Sequence, residues 1–500
     1  MERIKKLWNY WWVAILFIIA PYLIMAKIPD TDTFFFLKTG QYIIENSIVP
    51  TLNPFVIHEG FQVIIQQWLF DISIYSAYSA LGNIGIFLFV ASAYAISIAL
   101  LYKYFGLFTT NQKARGIITL LSALIYISYG VARPTCISFI VMVSLLYSIE
   151  KYKRTNKKSW LAVLPFLSLL EVNVHSAMWP MMFVLILPYI FPFELLRKGN
   201  LKKKAKEWFH QNKYILLTIF IMLVIGFINP NGIDGMTYVL YSYGSVTGGI
   251  PISELLPPNT DSRQGLTIMA VIAFLAIYVY KNKSKFKNQK STMQKEFTRI
   301  AMACGVLILA CMHYRNMWYL LLGATPVVLE LLNNSKIKIK KPKWLNSFRK
   351  GLLTIIAVFL VVFLSGFMLS ISNFSTTTTK DSQYTPIKAA QYLDKHQKNE
   401  IVLFTEFNNG AFMEWSGYKV YMDARPELFQ KKINGKEDIF TEYSNLATGK
   451  IEYEEFLRKY QFTHLVVAKK TLFEMYLSAN ADYTAVVDGT GYKLYEHTGK

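Results

Sequence analysis

Two carboxylates stand two residues apart in Pro29-Asp30-Thr31-Asp32, directly after the apolar run that opens the chain. Such a pair can hold a divalent cation, magnesium or manganese, or orient an acceptor hydroxyl for general-base attack. It also has a purely structural use, with Asp32 capping a helix from Thr33 and Asp30 in the turn before it. Other polar groups gather at the ends of apolar runs. Arg133-Pro134 separates two runs, and Glu171, Asn173 and His175 flank a turn. Asn229-Pro230-Asn231-Gly232 opens a long loop that also contains Glu254, and His313-Tyr314-Arg315-Asn316 joins two further runs. Ionisable groups near membrane depth are costly and mark function by default. Arginines there also snorkel to the interface, and Asn229 to Gly232 also reads as a simple turn. Arginine matches phosphate oxygens bidentately, so Arg133 and Arg315, with His313 beside the latter, suit a lipid-linked phosphate. Glu171, Asn173, His175, Asn229 and Glu254 are candidate substrate contacts beside them. Near the C-terminus, Asp423 and Arg425 follow a strand-like segment and precede Pro426. They read either as acceptor contacts or as an internal ion pair.

The elements that must position these groups are membrane helices. The chain has 500 residues, 53% hydrophobic and only 17% charged, against about 25% charged in soluble domains. Disorder is excluded by the same figures. Cys136, Cys304 and Cys311 all lie in apolar stretches, which excludes a disulfide framework and a cysteine-based zinc site. Runs long enough to span fall at 8–26, 83–102, 115–131, 135–150, 159–171, 176–194, 214–229, 265–280, 299–312, 316–333 and 351–372, about eleven in all. The first reads as a retained anchor because no small-residue cleavage site follows it. Segment 62–80 carries Gln62, Gln66, Gln67 and Asp71, and reads as an amphipathic helix lying on the outer surface.

Charge sets the orientation. The outer loops hold only Lys27, Lys38, Arg133, Arg263 and Arg315, whereas lysine and arginine crowd the intervening loops. That asymmetry places the N-terminus in the cytoplasm and the C-terminal region outside, as a multi-pass cell-membrane protein. It also accounts for the net charge of +21, which faces anionic lipid and gives no reason to expect nucleic acid. The expected organisation is a membrane domain over 1–372 with long outer loops at 27–82 and 230–264, a polar linker at 373–379, and a small extracytoplasmic α/β domain over 380–500. Within the last, helices are expected at Ile387–Leu393 and Tyr453–Tyr460. Strands are expected at Ile401–Phe404, Lys419–Asp423 and His464–Ala468, with a hairpin over Tyr483–Tyr495.

No Walker-type phosphate loop, G-x-G-x-x-G, H-E-x-x-H or G-x-S-x-G element occurs. A basic N-terminus, one span and an outer loop opening on an acidic D-x-D pair resemble the GT-C superfamily of integral-membrane glycosyltransferases. More narrowly, the chain resembles bacterial members with an extracellular C-terminal α/β domain. The matching residues are Asp30 and Asp32 with Leu37 and Gly40, Pro50, Asn53-Pro54-Phe55, Gly60, Trp68-Leu69, Arg133-Pro134, Asn173 with His175, Asn229 to Gly232, Glu254 with Pro257-Pro258, Asn409 to Phe412, and Val420 to Arg425.

The resemblance implies an α-helical polytopic GT-C-like membrane protein. Its activity would be sugar transfer from a polyprenyl-phosphate donor to a glycan or lipid acceptor at the outer face, in cell-envelope polysaccharide biosynthesis. Asp30 or Asp32 would act as base or metal ligand, and Arg133, Arg315 and His313 would hold the donor phosphate. Two positions depart from the family's pattern: Phe34-Phe35-Phe36 stands where an aromatic-histidine sequence is expected, and Gln67 where an acid is expected before Trp68-Leu69. Those departures leave a rival, a non-catalytic GT-C-fold protein that binds lipid-linked glycan or scaffolds its assembly. A transporter or flippase is a third reading, but it would place polar groups at mid-bilayer rather than at one face.

Overall fold

The computed structural model describes residues 11–25, 30–129, 131–192, 195, 200–242, 256–259, 261–283, 290–334 and 380–499. The expected span at 351–372, the linker at 373–379 and the candidate Glu254 lie outside the described residues.

Helix α1 (Trp11–Met25) leads into α2 (Thr33–Asn46) and α3 (Trp68–Leu81), both in the first long loop. Next come α4 (Asn83–Phe105), α5 (Gln112–Tyr126), α6 (Thr135–Thr155), α7 (Ser159–Val174), α8 (Trp179–Ile190) and α9 (Leu201–Ile225). The second long loop carries α10 (Gly232–Ser242), followed by α11 (Arg263–Asn282), α12 (Lys290–Met312), α13 (Tyr319–Gly323) and α14 (Thr325–Asn334). Among the described residues, α4, α6, α9 and α11 are each long and apolar enough to cross a membrane. α6 is the hub: Val141, Met142, Val143, Leu145, Leu146 and Ile149 are fully buried, with α4 and α7 packed on it. A helix apolar on all sides has to be surrounded by others.

Two helices differ from their expected spans. α9 starts at Leu201 rather than near 214, because Asn200 accepts a hydrogen bond from the Lys203 amide and the Lys/Glu/Gln-rich stretch that follows favours helix. The run at 316–333 is divided into α13 and α14, with Pro326 in the first turn of the second. Proline has no N–H to continue the first helix and disfavours helical backbone before it. α3, with 14 residues, is about 21 Å long and too short to span a core of about 30 Å. It packs along α2 instead, where a Cβ on Gly40 would lie 2.1 Å from the Asp71 carbonyl oxygen.

At the helix ends remote from the C-terminal domain, a buried charge network joins four helices. Arg299 on α12 forks onto Glu150 on α6 at 2.6 and 3.0 Å and reaches Glu330 on α14 at 3.4 Å. Tyr189 on α8 donates to Glu150 at 2.8 Å. Burying these charges is tolerable because each oxygen and nitrogen named here has a partner.

The C-terminal domain runs α15 (Ile387–Leu393), β1 (Leu403–Thr405), α16 (Gly410–Trp415), α17 (Lys431–Asn434), α18 (Ile439–Ala447), α19 (Tyr453–Tyr460), β2 (His464–Ala468), α20 (Leu472–Ala479), β3 (Tyr483–Asp488) and β4 (Tyr492–His497). The sheet order is β1-β2-β4-β3, with β1 parallel to β2 and the other pairs antiparallel. Lys419–Asp423 is not a full strand. Val420 makes single bridges to Leu403 of β1 and to Val56 of the first loop, and the pairing goes no further on either side. Through it the first loop attaches to the edge of the C-terminal sheet: Ile57 N–H donates to Val420 O at 3.0 Å and Val420 N–H to Phe55 O at 3.0 Å.

Candidate functional site

Asp30 and Asp32 both face Arg133, which stands just ahead of α6. Arg133 Nε donates to Asp30 Oδ2 at 2.7 Å and its Nη2 lies 3.0 Å from Asp32 Oδ2. The backbone sets this geometry. Asp30 Oδ1 accepts from the Asp32 amide at 2.7 Å, and Thr33 Oγ1 accepts from the Asp30 amide at 3.1 Å. Asp32 occupies the N-cap position of α2 but makes no capping bond with its side chain. Both carboxylates are thus turned towards one guanidinium, a shared positive charge between two acids.

One helical turn along α6, Ser138 Oγ lies 2.8 Å from His175 Nδ1. Ser138 is five residues past Arg133, or roughly 7 Å along a helix axis. Glu171, one turn before His175 on α7, is fully buried, and neither carboxyl oxygen has a hydrogen-bond partner among the described residues. A buried unpaired acid is rare and calls for a functional account. Arg315 is close enough for its charge to act on His175. Its loop is held by Tyr314, whose amide donates to Leu256 O at 2.9 Å. Asp30, Asp32, Arg133, His175, Glu171 and Arg315 therefore gather around the start of α6 and the turn from α7 to α8. His313 is half-buried in the same turn as Arg315.

Other sequence candidates hold the scaffold. Asn173 Oδ1 accepts from Trp68 Nε1 at 2.8 Å, and its Nδ2 donates to Ile228 O at 2.9 Å, tying α3, α7 and the end of α9 together. Asn229 staples its own turn through Gly226 O and Gly232 O. Trp68, Phe166, Asn173, Phe227, Ile228 and Pro230 line part of a largely apolar groove of about 600 Å³ beside them. Gln66 went unnoticed as a site-former in the sequence: its carbonyl and side-chain oxygens accept from the Ser176 and Ala177 amides, both at 3.1 Å, and so fix the turn that carries His175.

A second charged cluster lies where the C-terminal domain meets α2 and α3. Arg425 Nε bonds both Asp423 oxygens at 3.1 Å, its Nη2 lies 3.4 Å from Glu414, and its guanidinium sits 4.9 Å from the Phe35 ring. Phe35 is one turn beyond Asp32 on α2, so the cluster borders the acidic pair. Asp423 and Arg425 are bonded to each other here. Asp71 and Glu414, the other acids of the cluster, were not evident as partners because each sits in a separate helix of ordinary amphipathic pattern. Burial pushes the Asp71 and Glu414 carboxyls well above the usual range, with the Arg425 charge acting against it. Phe34 packs edge-on against Phe412 at 5.1 Å, closing the same seam. His58 Nε2 donates to Tyr421 O at 2.7 Å, and burial lowers its pKa to about 4, keeping the imidazole neutral. Phe36 and Gln67, the departures from the family pattern, are both buried, with Phe36 packed edge-on against Phe70 at 5.2 Å.

A polytopic helical domain whose first long loop returns to a small C-terminal α/β domain, with an acidic pair at the head of that loop, is the architecture of the GT-C fold. Comparison with solved structures bears this out: the chain is similar over 98% of its length to the apo crystal structure of ArnT from Cupriavidus metallidurans, covering 98% of that chain, with a TM-score of 0.52 at 11% sequence identity. No family model matches the sequence, and no curated protein does. The chain is a polytopic membrane protein of GT-C fold.

Proposed function

We propose that this protein is a membrane glycosyltransferase that moves a sugar from a polyprenyl-phosphate donor to a cell-envelope glycan or lipid acceptor. The observation that carries this reading is Arg133 bound at once to Asp30 and Asp32, on a GT-C fold, next to the docked C-terminal domain. ArnT is among the solved structures to which the chain is similar. The scarcity of lysine and arginine in the loops on this side supports an extracytoplasmic site.

In this reading the donor phosphate competes with the carboxylates for Arg133, because a guanidinium fork matches phosphate as well as it matches carboxylate. A carboxylate released from Arg133 takes the proton of the acceptor hydroxyl as its oxygen attacks the anomeric carbon. The bond from that carbon to the phosphate oxygen breaks, and the polyprenyl phosphate leaves with the electron pair, stabilised by Arg133 and Arg315. Direct displacement inverts the configuration. The apolar groove beside Trp68 and Asn173 fits the isoprenoid chain of the donor. Glu171, His175 and His313 face the sugar and phosphate in this arrangement, and Asn173 and Asn229 hold the turns around them. Asp30 and Asp32 with Arg133 between them fit a magnesium or manganese ion poorly, since the guanidinium already takes the facing oxygens.

A second reading is favoured by Phe36 and Gln67, which replace the imidazole and carboxylate that the resemblance implies, and by the ion pairing of both acids. It is a GT-C-fold protein that binds lipid-linked glycan without transferring it. Mass spectrometry of envelope glycans and lipid-linked sugars separates the two. The strains are wild type, a deletion, and the deletion complemented with Asp30→Asn/Asp32→Asn at matched protein level. If the doubly substituted protein leaves the deletion's missing sugar missing, the transferase reading stands. A wild-type profile from that strain refutes it.

A further inference from the structure

The C-terminal sheet carries a cluster outside the site described above. His464 opens β2 and pairs across the ladder with Glu496 near the end of β4. His396 comes from the turn after α15, and its ring lies 5.6 Å from that of His464. One ligand atom from each of the three, two imidazole nitrogens and a carboxylate oxygen, lies within 4.8 Å of the other two. His464 is only 5% exposed, yet its Nε2 has no hydrogen-bond partner among the described residues. Its nearest acid, Glu496 Oε1, stands 4.0 Å away, too far for a hydrogen bond.

The surrounding bonds orient all three groups inward. Thr463 Oγ1 lies 3.0 Å from His464 Nδ1, and in the tautomer that carries its proton on Nδ1 the Nε2 presents a lone pair. His396 Nδ1 faces Tyr392 O at 3.3 Å, so its Nε2 is likewise a lone-pair nitrogen. The Tyr392 hydroxyl donates to Glu496 Oε2 at 2.8 Å, fixing the carboxylate and leaving Oε1 to the cluster. Metal-binding histidines show this pattern: one ring nitrogen is committed to a carbonyl or hydroxyl, and the other is presented to the ion.

We propose that His396, His464 and Glu496 form a transition-metal site, of the two-histidine, one-carboxylate kind that takes zinc with an open fourth position. Tetrahedral zinc at bonds of about 2.0–2.1 Å sets neighbouring ligands roughly 3.4 Å apart. The ligand atoms therefore close by about 1 Å on binding, and the exposed His396 side chain, at the end of a short helix, is the one free to swing. The metal would cross-link three segments, after α15, at the start of β2 and at the end of β4. The site is independent of sugar transfer.

The test uses the full chain in detergent, stripped with chelator and titrated with zinc alone by calorimetry, and with cobalt for its visible spectrum. Wild type is expected to bind one equivalent more than His396→Ala and to show the intense visible bands of four-coordinate cobalt, which the variant lacks. Because His396 is exposed, that variant keeps the fold, and an unchanged melting profile in chelator confirms it. Tyr392→Phe, which only frees Glu496 Oε2, is expected to weaken zinc by about tenfold while preserving stoichiometry. Equal zinc stoichiometry and affinity in wild type and His396→Ala overturns the site, as does a wild type that binds none.

Discussion

Removing Arg133 alone is expected to destabilise the protein more than removing Arg133 together with both acids it holds. Arg133 meets Asp30 at 2.7 Å and Asp32 at 3.0 Å, with side-chain exposures of 26%, 14% and 21% respectively. Charge-assisted hydrogen bonds are worth about 1.5–3 kcal/mol when buried. Exposed ion pairs give about 0.2–1 kcal/mol, so partial exposure here suggests about 1 kcal/mol for each contact. Taking the guanidinium away also leaves two neighbouring carboxylates unscreened, and two unit charges about 5 Å apart at an effective dielectric of 20 repel by on the order of 3 kcal/mol before ions and protons relax it. Arg133→Gln should therefore cost about 3–4 kcal/mol. The triple variant Arg133→Gln/Asp30→Asn/Asp32→Asn loses the attractions but not by repulsion, and should cost about 2 kcal/mol. Asparagine at position 30 can still accept from the Asp32 amide, so the turn survives. The assay is unfolding in detergent micelles followed by tryptophan fluorescence, at low salt and at 1 M salt, where the Debye length falls to about 3 Å and the gap should narrow. A triple variant no more stable than Arg133→Gln at low salt would show that the three charges are not coupled, and the geometric reading of the pair would fall with it.

Two further outcomes test the C-terminal domain and its seam. Gly410→Ala puts a Cβ 1.8 Å from the Met422 carbonyl oxygen, where backbone cannot yield cheaply, and should cost about 3 kcal/mol or more, seen as a lowered melting temperature and faster proteolysis of the C-terminal domain. Burial raises the Glu406 pKa to about 7, so its contribution is fully present below about pH 4.5 and is lost as pH rises towards 7. Glu406→Gln keeps an oxygen for the Ala468 amide, should raise stability at pH 8 by up to roughly 3 kcal/mol, and should flatten the pH dependence between 5 and 7; an unchanged profile refutes the assignment.

Much of the fold could be read from local pattern. Ile387–Leu393, Tyr453–Tyr460 and His464–Ala468 form as expected because each carries a clean period of one element type. Lys419–Asp423 has the same alternating pattern, yet Val420 finds a partner on each side for a single bridge only, a fact about two distant segments. The hydrophobic run at 214–229 marked the apolar part of α9 but not its start, since a lysine-rich turn is helical without being apolar. The acidic pair was visible as a pair. Its commitment to Arg133, about a hundred residues away, was not, because only the fold brings the turn before α2 to the residue just ahead of α6. Asp71, Glu414 and the histidines of the C-terminal cluster were hidden for the same reason, each being an ordinary residue in its own element.

The bridges from Val56 to Val420 and on to Leu403 have a consequence for how the protein is made. The first loop leaves the ribosome long before its partner strand exists. At about 5–20 residues per second, the interval is roughly 20–70 s. During that time Phe55, Val56 and Phe61, all buried in the finished protein, have no C-terminal sheet to cover them. The first loop must wait for the last domain, so a chain stalled or truncated before β1 would display a sticky apolar edge, and the cell's quality control would meet the nascent protein at its beginning rather than at its end.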